Sequence, residues 1–438
     1  MKRSEHLRQS ILAQVAEYYN ETFQDREFIP GKSRVHYAGR VFDALELQNA
    51  VGAALDFWLT AGPETAKFEK RLGQFLGIRE VIPVNSGSSA NLVATTALCS
   101  KQFRSGLRPG DEVIVPAASF PTTVNPIIQN QLMPVFVDSS LSDYNLDPVQ
   151  VAEAITPKTK AIIFAHTLGN PADMDEIMTL VREHDLLLIE DACDALGSTW
   201  DGKLLGTFGH FATLSFYPAH HMTVGEGGAV FTSSRRLAKI ARSVRDWGRD
   251  CWCGYDDPPD GRCNQRFERL VPGMPGFYDH RYLYTEIGYN LKLTDLQAAI
   301  GLAQLAKLPG FIAKRKQNFG YLYQALQDYS EHLILPSWQE KSDPSWFAFP
   351  LTVRDSAPFE RYHLTRFLEE NNIETRPLFA GNLLMQPGYR DIIYRAVGDL
   401  PVSNQILRST FFVGIYPGLD HPQLDYVVEI IDAFFRKL

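Results

Sequence analysis

The sequence predicts an α/β fold: a large domain on a mostly parallel, seven-stranded sheet, followed by a smaller C-terminal α/β domain. Three observations lead there. Short apolar runs alternate with helical stretches from about residue 50 to 235. The pattern then breaks over 246–289 into a stretch rich in Gly, Pro, Asp, Arg and aromatics, and a shorter α/β series begins after Asp355. Strands that alternate with helices form βαβ units, whose sheet is parallel and covered on both faces.

The predicted strands are 81–84, 112–115, 133–137, 161–165, 186–189, 213–216 and 229–231, each apolar and short. Helical spacing fills 89–98, 123–130, 148–155 and 174–183 between them. Residues 293–308 have the clear amphipathic spacing of a further helix. The last part adds a helix over 359–371, an apolar strand near 411–415 and a final helix over 421–437. The expected organisation is an N-terminal helical segment (1–40), a large domain (41–320) and a small domain (321–438). A structureless stretch as long as 246–289 is uncommon inside a compact domain, so it is read as a functional excursion.

Composition excludes several classes. At 45% hydrophobic and 21% charged residues the chain is not a disordered one. A net charge of −8 argues against nucleic-acid or anionic-membrane partners, which need a basic face. No uninterrupted apolar run approaches the roughly 18 residues of a membrane span. Arg8, Gln9, Gln14 and Glu17 interrupt any signal-peptide core, whereas Leu7, Ile11, Leu12 and Val15 fit one helical face. The expected location is cytoplasmic, where five cysteines do not form a disulfide framework.

In open parallel sheets the ligand lies at the carboxyl ends of the strands. After the first strand comes Asn85-Ser86-Gly87-Ser88-Ser89-Ala90-Asn91, opening a helix. Free backbone N–H groups and hydroxyls there suit a phosphate, although a capped helix start looks the same. After the fifth strand comes Glu190-Asp191-Ala192-Cys193-Asp194. An Asp at the end of a buried strand is costly unless paired, and a pyridinium nitrogen would pair with it; a helix cap is the alternative. The sixth strand runs into Tyr217-Pro218-Ala219-His220-His221 and a Gly-rich return, Gly225-Glu226-Gly227-Gly228.

These motifs, with Ser215-Phe216-Tyr217-Pro218 and Gly288-Tyr289-Asn290, resemble the sugar-nucleotide aminotransferases of the DegT/StrS type from about residue 40 onward. The resemblance implies the fold-type I pyridoxal-phosphate (PLP)-dependent transferase fold. It also implies a cofactor site in which Gly87, Ser88 and Ser215 contact the phosphate and Asp191 faces the ring nitrogen. Phe120 would stack on the ring, and Asn170 would approach the cofactor hydroxyl or hold the turn before Pro171. Asn290 would reach the phosphate across a homodimer interface. The chain departs from the aminotransferases at one position: His220 stands where they carry the Schiff-base lysine, and no lysine lies between Lys203 and Lys239. Imidazole cannot hold pyridoxal covalently, but it moves protons near neutral pH. The expected cofactor is therefore pyridoxamine 5′-phosphate (PMP), or PLP, bound non-covalently, with His220 as acid–base residue. His221 is the weaker candidate for that role. Asp194, where aminotransferases often have His or Gln, and Tyr217 beside His220 are expected to disfavour transamination.

Cys251-Trp252-Cys253 is a C-x-C pair with Cys263 beyond it, and Cys193 adjoins the Asp191 motif. Cys99, in an apolar helix, reads as core. Four thiolates suit either zinc or an iron–sulfur cluster. Together with His220, they resemble the iron–sulfur, PMP-dependent 3-dehydrases of 3,6-dideoxyhexose biosynthesis. That branch implies a 2Fe–2S cluster on Cys193, Cys251, Cys253 and Cys263, with a small insertion before Cys263. It implies C3 deoxygenation of CDP-4-dehydro-6-deoxy-D-glucose, for CDP-ascarylose or related O-antigen sugars of lipopolysaccharide. It also implies a separate NADH-dependent flavin/iron–sulfur reductase. The alternatives are a cluster-free PMP-dependent nucleotide-sugar 3-dehydratase and a lysine-less regulatory subunit. Arg249, Arg376 and the aromatics of Ser345-Trp346-Phe347 are candidates for the nucleotide sugar.

Overall fold

The structure, a computed structural model, describes residues 2–23, 27–251, 266–274 and 276–438. All seven expected strands form, and they share one sheet. Its order is Glu80–Val84, Gly228–Thr232, Phe211–Ser215, Leu187–Asp191, Thr159–Ala165, Glu112–Pro116, Met133–Val137 and Arg395–Ala396. From Phe211–Ser215 to Arg395–Ala396 every pairing is parallel. Gly228–Thr232 runs antiparallel to both of its neighbours. Period-two alternation sends Val81, Ile114, Ile162 and Leu188 into one core. Ile82, Val113, Ile163 and Ile189 enter the core on the other face.

The eighth strand, Arg395–Ala396, was not expected. Two residues carry no periodicity, and the side chain of Arg395 reveals the docking: it pairs with Glu112 at 2.9 Å. The C-terminal residues also build a sheet of their own, ordered Leu333–Ile334, Ala348–Val353, Thr410–Gly414 and Arg376–Pro377. Leu351, Phe411, Leu424 and Ile431 form its core with the helices Arg361–Glu370 and His421–Phe435.

The helix expected to stop at Leu308 instead runs from Asp295 to Ala325, through Pro309. Proline removes one backbone donor from a helix interior. Here packing at both ends offsets that loss: Ala298 and Leu308 lie in the core of the large sheet, Phe319 and Leu322 in the core of the small one. Among the described residues it is the one helix long and apolar enough to cross a membrane by length and composition. Its place between two cores accounts for that composition. The division expected near residue 320 thus falls inside a continuous helix.

The N-terminal helix, Arg3–Thr22, lies on the helix Ala44–Asp56 through an Arg8–Asp56 pair at 2.6 Å and a Gln48 amide to the Leu12 carbonyl at 2.9 Å. Leu7 and Ile11 stay exposed, so the predicted apolar face is only partly covered. Within the excursion Arg269–Leu270 pairs antiparallel with Phe277–Tyr278.

Candidate active site

The carboxyl ends of the strands Thr159–Ala165, Leu187–Asp191 and Phe211–Ser215 open on a cavity of about 570 Å³. On one side the helix Gly87–Leu98 points its N-terminus inward. The Ser86 hydroxyl accepts from Ser89 N–H at 3.0 Å, which caps the helix while Gly87 and Ser88 face the cavity. Gly87 is needed for space. A Cβ there would lie 2.6 Å from Ser215 Cβ and 3.0 Å from Cys193 Sγ. A close backbone approach with free N–H groups is the arrangement that admits a phosphate.

Asp191 forms the floor. Its Oδ2 accepts from Asn91 Nδ2 at 2.8 Å and from the Thr123 hydroxyl at 2.7 Å. Its Oδ1 accepts from Cys193 N–H at 3.2 Å. A carboxylate this buried is held by its donors and oriented before any ligand arrives. Phe120 precedes the helix Pro121–Gln129 and remains about half exposed on the cavity wall, edge-on to Phe379.

His220 closes the site on the turn after Phe211–Ser215. Its N–H donates to the Tyr217 carbonyl at 2.9 Å, fixing a tight turn. Its Nδ1 lies 3.2 Å from Asp194 Oδ1. The ring is not aligned for a hydrogen bond along that line. The ring packs on Phe347 with centroids 5.3 Å apart. Tyr217 and Ser215 line the same cavity, and among the described residues no lysine does. His221 points away, and its Nε2–H donates to the Ser345 carbonyl at 2.7 Å. Burial, reinforced by the Arg315 charge, holds His221 well below the usual histidine range. It is a neutral support, not a second acid.

Residues 42–432 match the signature of the DegT/DnrJ/EryC1/StrS aminotransferase family. The chain belongs to that family. It is 51% identical to the lipopolysaccharide biosynthesis protein RfbH of Salmonella typhimurium, over 98% of each chain. It is 46% identical to the dTDP-4-dehydro-2,6-dideoxy-D-glucose 3-dehydratase of Saccharopolyspora spinosa, over 98% of this chain and 92% of that one. Among solved structures, the E. coli GDP-4-keto-6-deoxy-D-mannose-3-dehydratase with bound hydrated PLP superposes with a TM-score of 0.79. That structure is 29% identical and covers 90% of this chain and 98% of its own. Family members share the PLP-dependent fold described above.

The family cofactor fits the cavity found here: a glycine-opened phosphate cup, a buried carboxylate and an aromatic wall surround one volume. Of the residues expected there, Gly87, Ser88, Phe120, Asp191, Asp194, Ser215, Tyr217 and His220 all line it. Two do not. Asn170 is buried behind the wall, where its amide donates to the Ser337 carbonyl at 2.9 Å. Its amide holds a turn, while its buried Oδ1 has no hydrogen-bond partner among the described residues. Asn290 is exposed, accepts from Lys292 at 2.7 Å, and lies outside the cavity of its own chain. Arg376 and Phe347 line the far wall, with Arg376 over the Tyr37 ring at 4.2 Å. Trp346 instead stacks on Phe319 in the core, and Arg249 covers Trp247 outside the cavity.

The cysteine set is only partly within the described residues. Cys193 stands on the cavity wall and Cys251 is half-buried. Cys253 and Cys263 lie outside the described residues. Among those described, no three His, Cys, Asp or Glu side chains gather around one point. Burial and the Asp191 and Asp194 carboxylates push the Cys193 thiol well above its ordinary pKa. A thiolate there needs a cation beside it, which a coordinated metal provides. Cys99, the C-cap of the helix Gly87–Leu98, is only partly buried against the core, and burial pushes its thiol to about 12.

Sequence reasoning missed Thr123, Thr213 and Arg315. The first two sit on elements whose order gives no hint that they meet at Asp191. Thr213 does so at 3.4 Å, while donating to Asn91 at 2.7 Å.

Proposed function

We propose that this chain is a PMP-dependent 3-dehydrase that deoxygenates C3 of CDP-4-dehydro-6-deoxy-D-glucose, in the biosynthesis of 3,6-dideoxyhexoses such as CDP-ascarylose. The observation that carries the reading is His220. A histidine occupies the lysine position, faces the cavity and lies 3.2 Å from the Asp194 carboxylate. The 3-dehydratase names of two relatives support it.

When bound, PMP supplies an amine able to condense with a 4-keto group and a conjugated ring that accepts electrons. The residues of the chain divide the remaining work. The N-terminus of the helix Gly87–Leu98, with the Ser88 and Ser215 hydroxyls, holds the phosphate. Asp191, fixed by Asn91 and Thr123, opposes the ring nitrogen. Phe120 covers the ring face. His220 holds and moves the proton at the C4′ carbon, and Asp194 balances the charge His220 gains. Without a lysine nucleophile the cofactor stays non-covalent, which favours dehydration over amine transfer.

Overall, two electrons and two protons enter, the C3 hydroxyl leaves as water, and hydrogen takes its place. Cys193, Cys251, Cys253 and Cys263 would hold a 2Fe–2S cluster able to pass electrons singly from a separate NADH-dependent flavin/iron–sulfur reductase. Asn290, exposed and outside its own cavity, serves the phosphate of a partner subunit in a homodimer. A second reading is a cluster-free 3-dehydratase: burial and the Asp191 and Asp194 carboxylates raise the Cys193 thiol, which disfavours a free thiolate at that wall.

Anaerobic iron and acid-labile sulfide analysis tests the choice, together with turnover of the CDP-linked ketosugar. About two of each per chain, with a visible spectrum that bleaches on reduction, is expected. Protein prepared anaerobically that is iron-free and turns the sugar over to product with no reductase would establish the second reading.

A further inference from the structure

Arg315 is a guanidinium buried in the middle of the Asp295–Ala325 helix, 1% exposed. None of the carboxylates of the described residues pairs with it within 4.0 Å. Instead Nη1 donates to the Phe347 carbonyl at 2.8 Å and to that of Trp346 at 3.3 Å. Its Nη2 donates to the His220 carbonyl at 3.2 Å and to that of Ala219 at 3.4 Å. A buried charge is expensive, and main-chain carbonyls are modest compensation. Burial lowers the guanidinium to about 10, so it remains charged at neutral pH. Such a group is not the cheapest filler for a helix–strand junction, where an apolar side chain would pack as well.

We infer that Arg315 is the positioning residue for His220: it bolts the main chain of the His220 turn to the strand-leading segment that carries Phe347. This rests on the reading of His220 as the proton-moving residue. His221 adds a second bolt through Ser345. The segment itself is tied to the large domain, since Phe347 N–H donates to the Leu168 carbonyl at 2.8 Å and Ser345 N–H to the Ser198 hydroxyl at 2.8 Å. The imidazole is therefore held from behind, while its front faces the cavity with Asp194 and Phe347 at its flanks. Lysine cannot replace Arg315, because a single ammonium does not span the two pairs of carbonyls.

The test compares Arg315→Lys, Arg315→Ala and, as a surface control, Lys314→Gln. His220→Asn is measured alongside. In protein without cofactor, amide hydrogen exchange of the 217–222 segment is followed. In PMP-loaded protein with the ketosugar, release of tritium from the C4′ carbon is followed. Both Arg315 variants are expected to exchange faster at 217–222. Arg315→Lys is expected to lose about 100-fold in kcat with KM within about threefold, as a small misplacement of a catalytic group does. Guanidinium, but not ammonium, should restore part of the Arg315→Ala rate. If Arg315→Lys protects 217–222 as well as wild type and keeps its kcat, the inference is overturned. If His220→Asn releases tritium as fast as wild type, the reading of His220 itself fails, which is a separate result.

Discussion

His220 sets the chemistry at the scale of the single residue, and its replacement is the sharpest probe. His220→Lys should hold PLP covalently, seen as a yellow absorption fixed by borohydride, and should lower dehydration at least about 100-fold. A variant that binds no PLP covalently would show that this turn does not aim at the cofactor. Gly87→Ala places a methyl 2.6 Å from Ser215 Cβ. It should weaken PMP binding by more than about tenfold, or ~1.4 kcal/mol, by fluorescence titration. Unchanged affinity would place the phosphate elsewhere.

A pH dependence of stability follows from the histidines. In the folded chain burial, then Arg315, holds His221 well below its ordinary range. His210 is lowered by burial as well. Unfolded, both titrate near 6.5. The unfolded chain therefore binds more protons once the pH falls below about 6.5, and stability declines toward the folded pKa values. The slope cannot exceed about 1.4 kcal/mol per pH unit for each histidine, and the deeply buried His221 comes nearest to it. Thermal unfolding should show a lower midpoint at about pH 5.5 than at about pH 7.5. His221→Gln, which can keep a bond to Ser345, should narrow the gap; an equal gap would clear His221 of the effect. What was legible among single residues follows a rule. Asp191, Ser215 and His220 stand directly after strands, where sequence position fixes spatial position. Thr123 and Arg315 reach the site from helices whose approach is decided only by packing, and Thr213, inside the Ser215 strand, meets Asp191 only through the pairing of the two strands. Asn170 carried the right residue type but faces Ser337.

Among the elements, the strands of the large sheet were predicted well because they are buried on both faces and most of their residues are apolar. The helix through Pro309 was cut short, because a local breaker signal was outweighed by two cores that the sequence cannot display. Its first residue also has a task invisible in sequence. Asp295 accepts from Gly62 N–H at 2.7 Å, Thr65 N–H at 2.9 Å and the Thr65 hydroxyl at 2.7 Å, capping the helix Pro63–Leu76. Asp295→Ala leaves buried donors without acceptors and should cost about 2 kcal/mol in denaturant unfolding. A loss below about 0.5 kcal/mol would mean that water replaces the cap.

For the whole molecule, the expectation concerns shared sites. If Asn290 serves the partner's cofactor, His220→Asn and Asn290→Ala chains should complement each other. Each is inactive alone. Refolded together, their mixed dimers regain one intact site, and about a quarter of the wild-type rate should return. No recovery would mean that each chain works within its own walls.

The short strand Arg395–Ala396 returns the last part of the chain to the edge of the first sheet, where Arg395 pairs with Glu112. Together with the unbroken Asp295–Ala325 helix, it stitches the two units twice. The C-terminal unit is therefore not a cassette. Chimeras made to borrow another relative's sugar preference will fail if spliced near residue 320. They will hold together when the graft carries the whole helix, and when position 112 is matched to the incoming arginine.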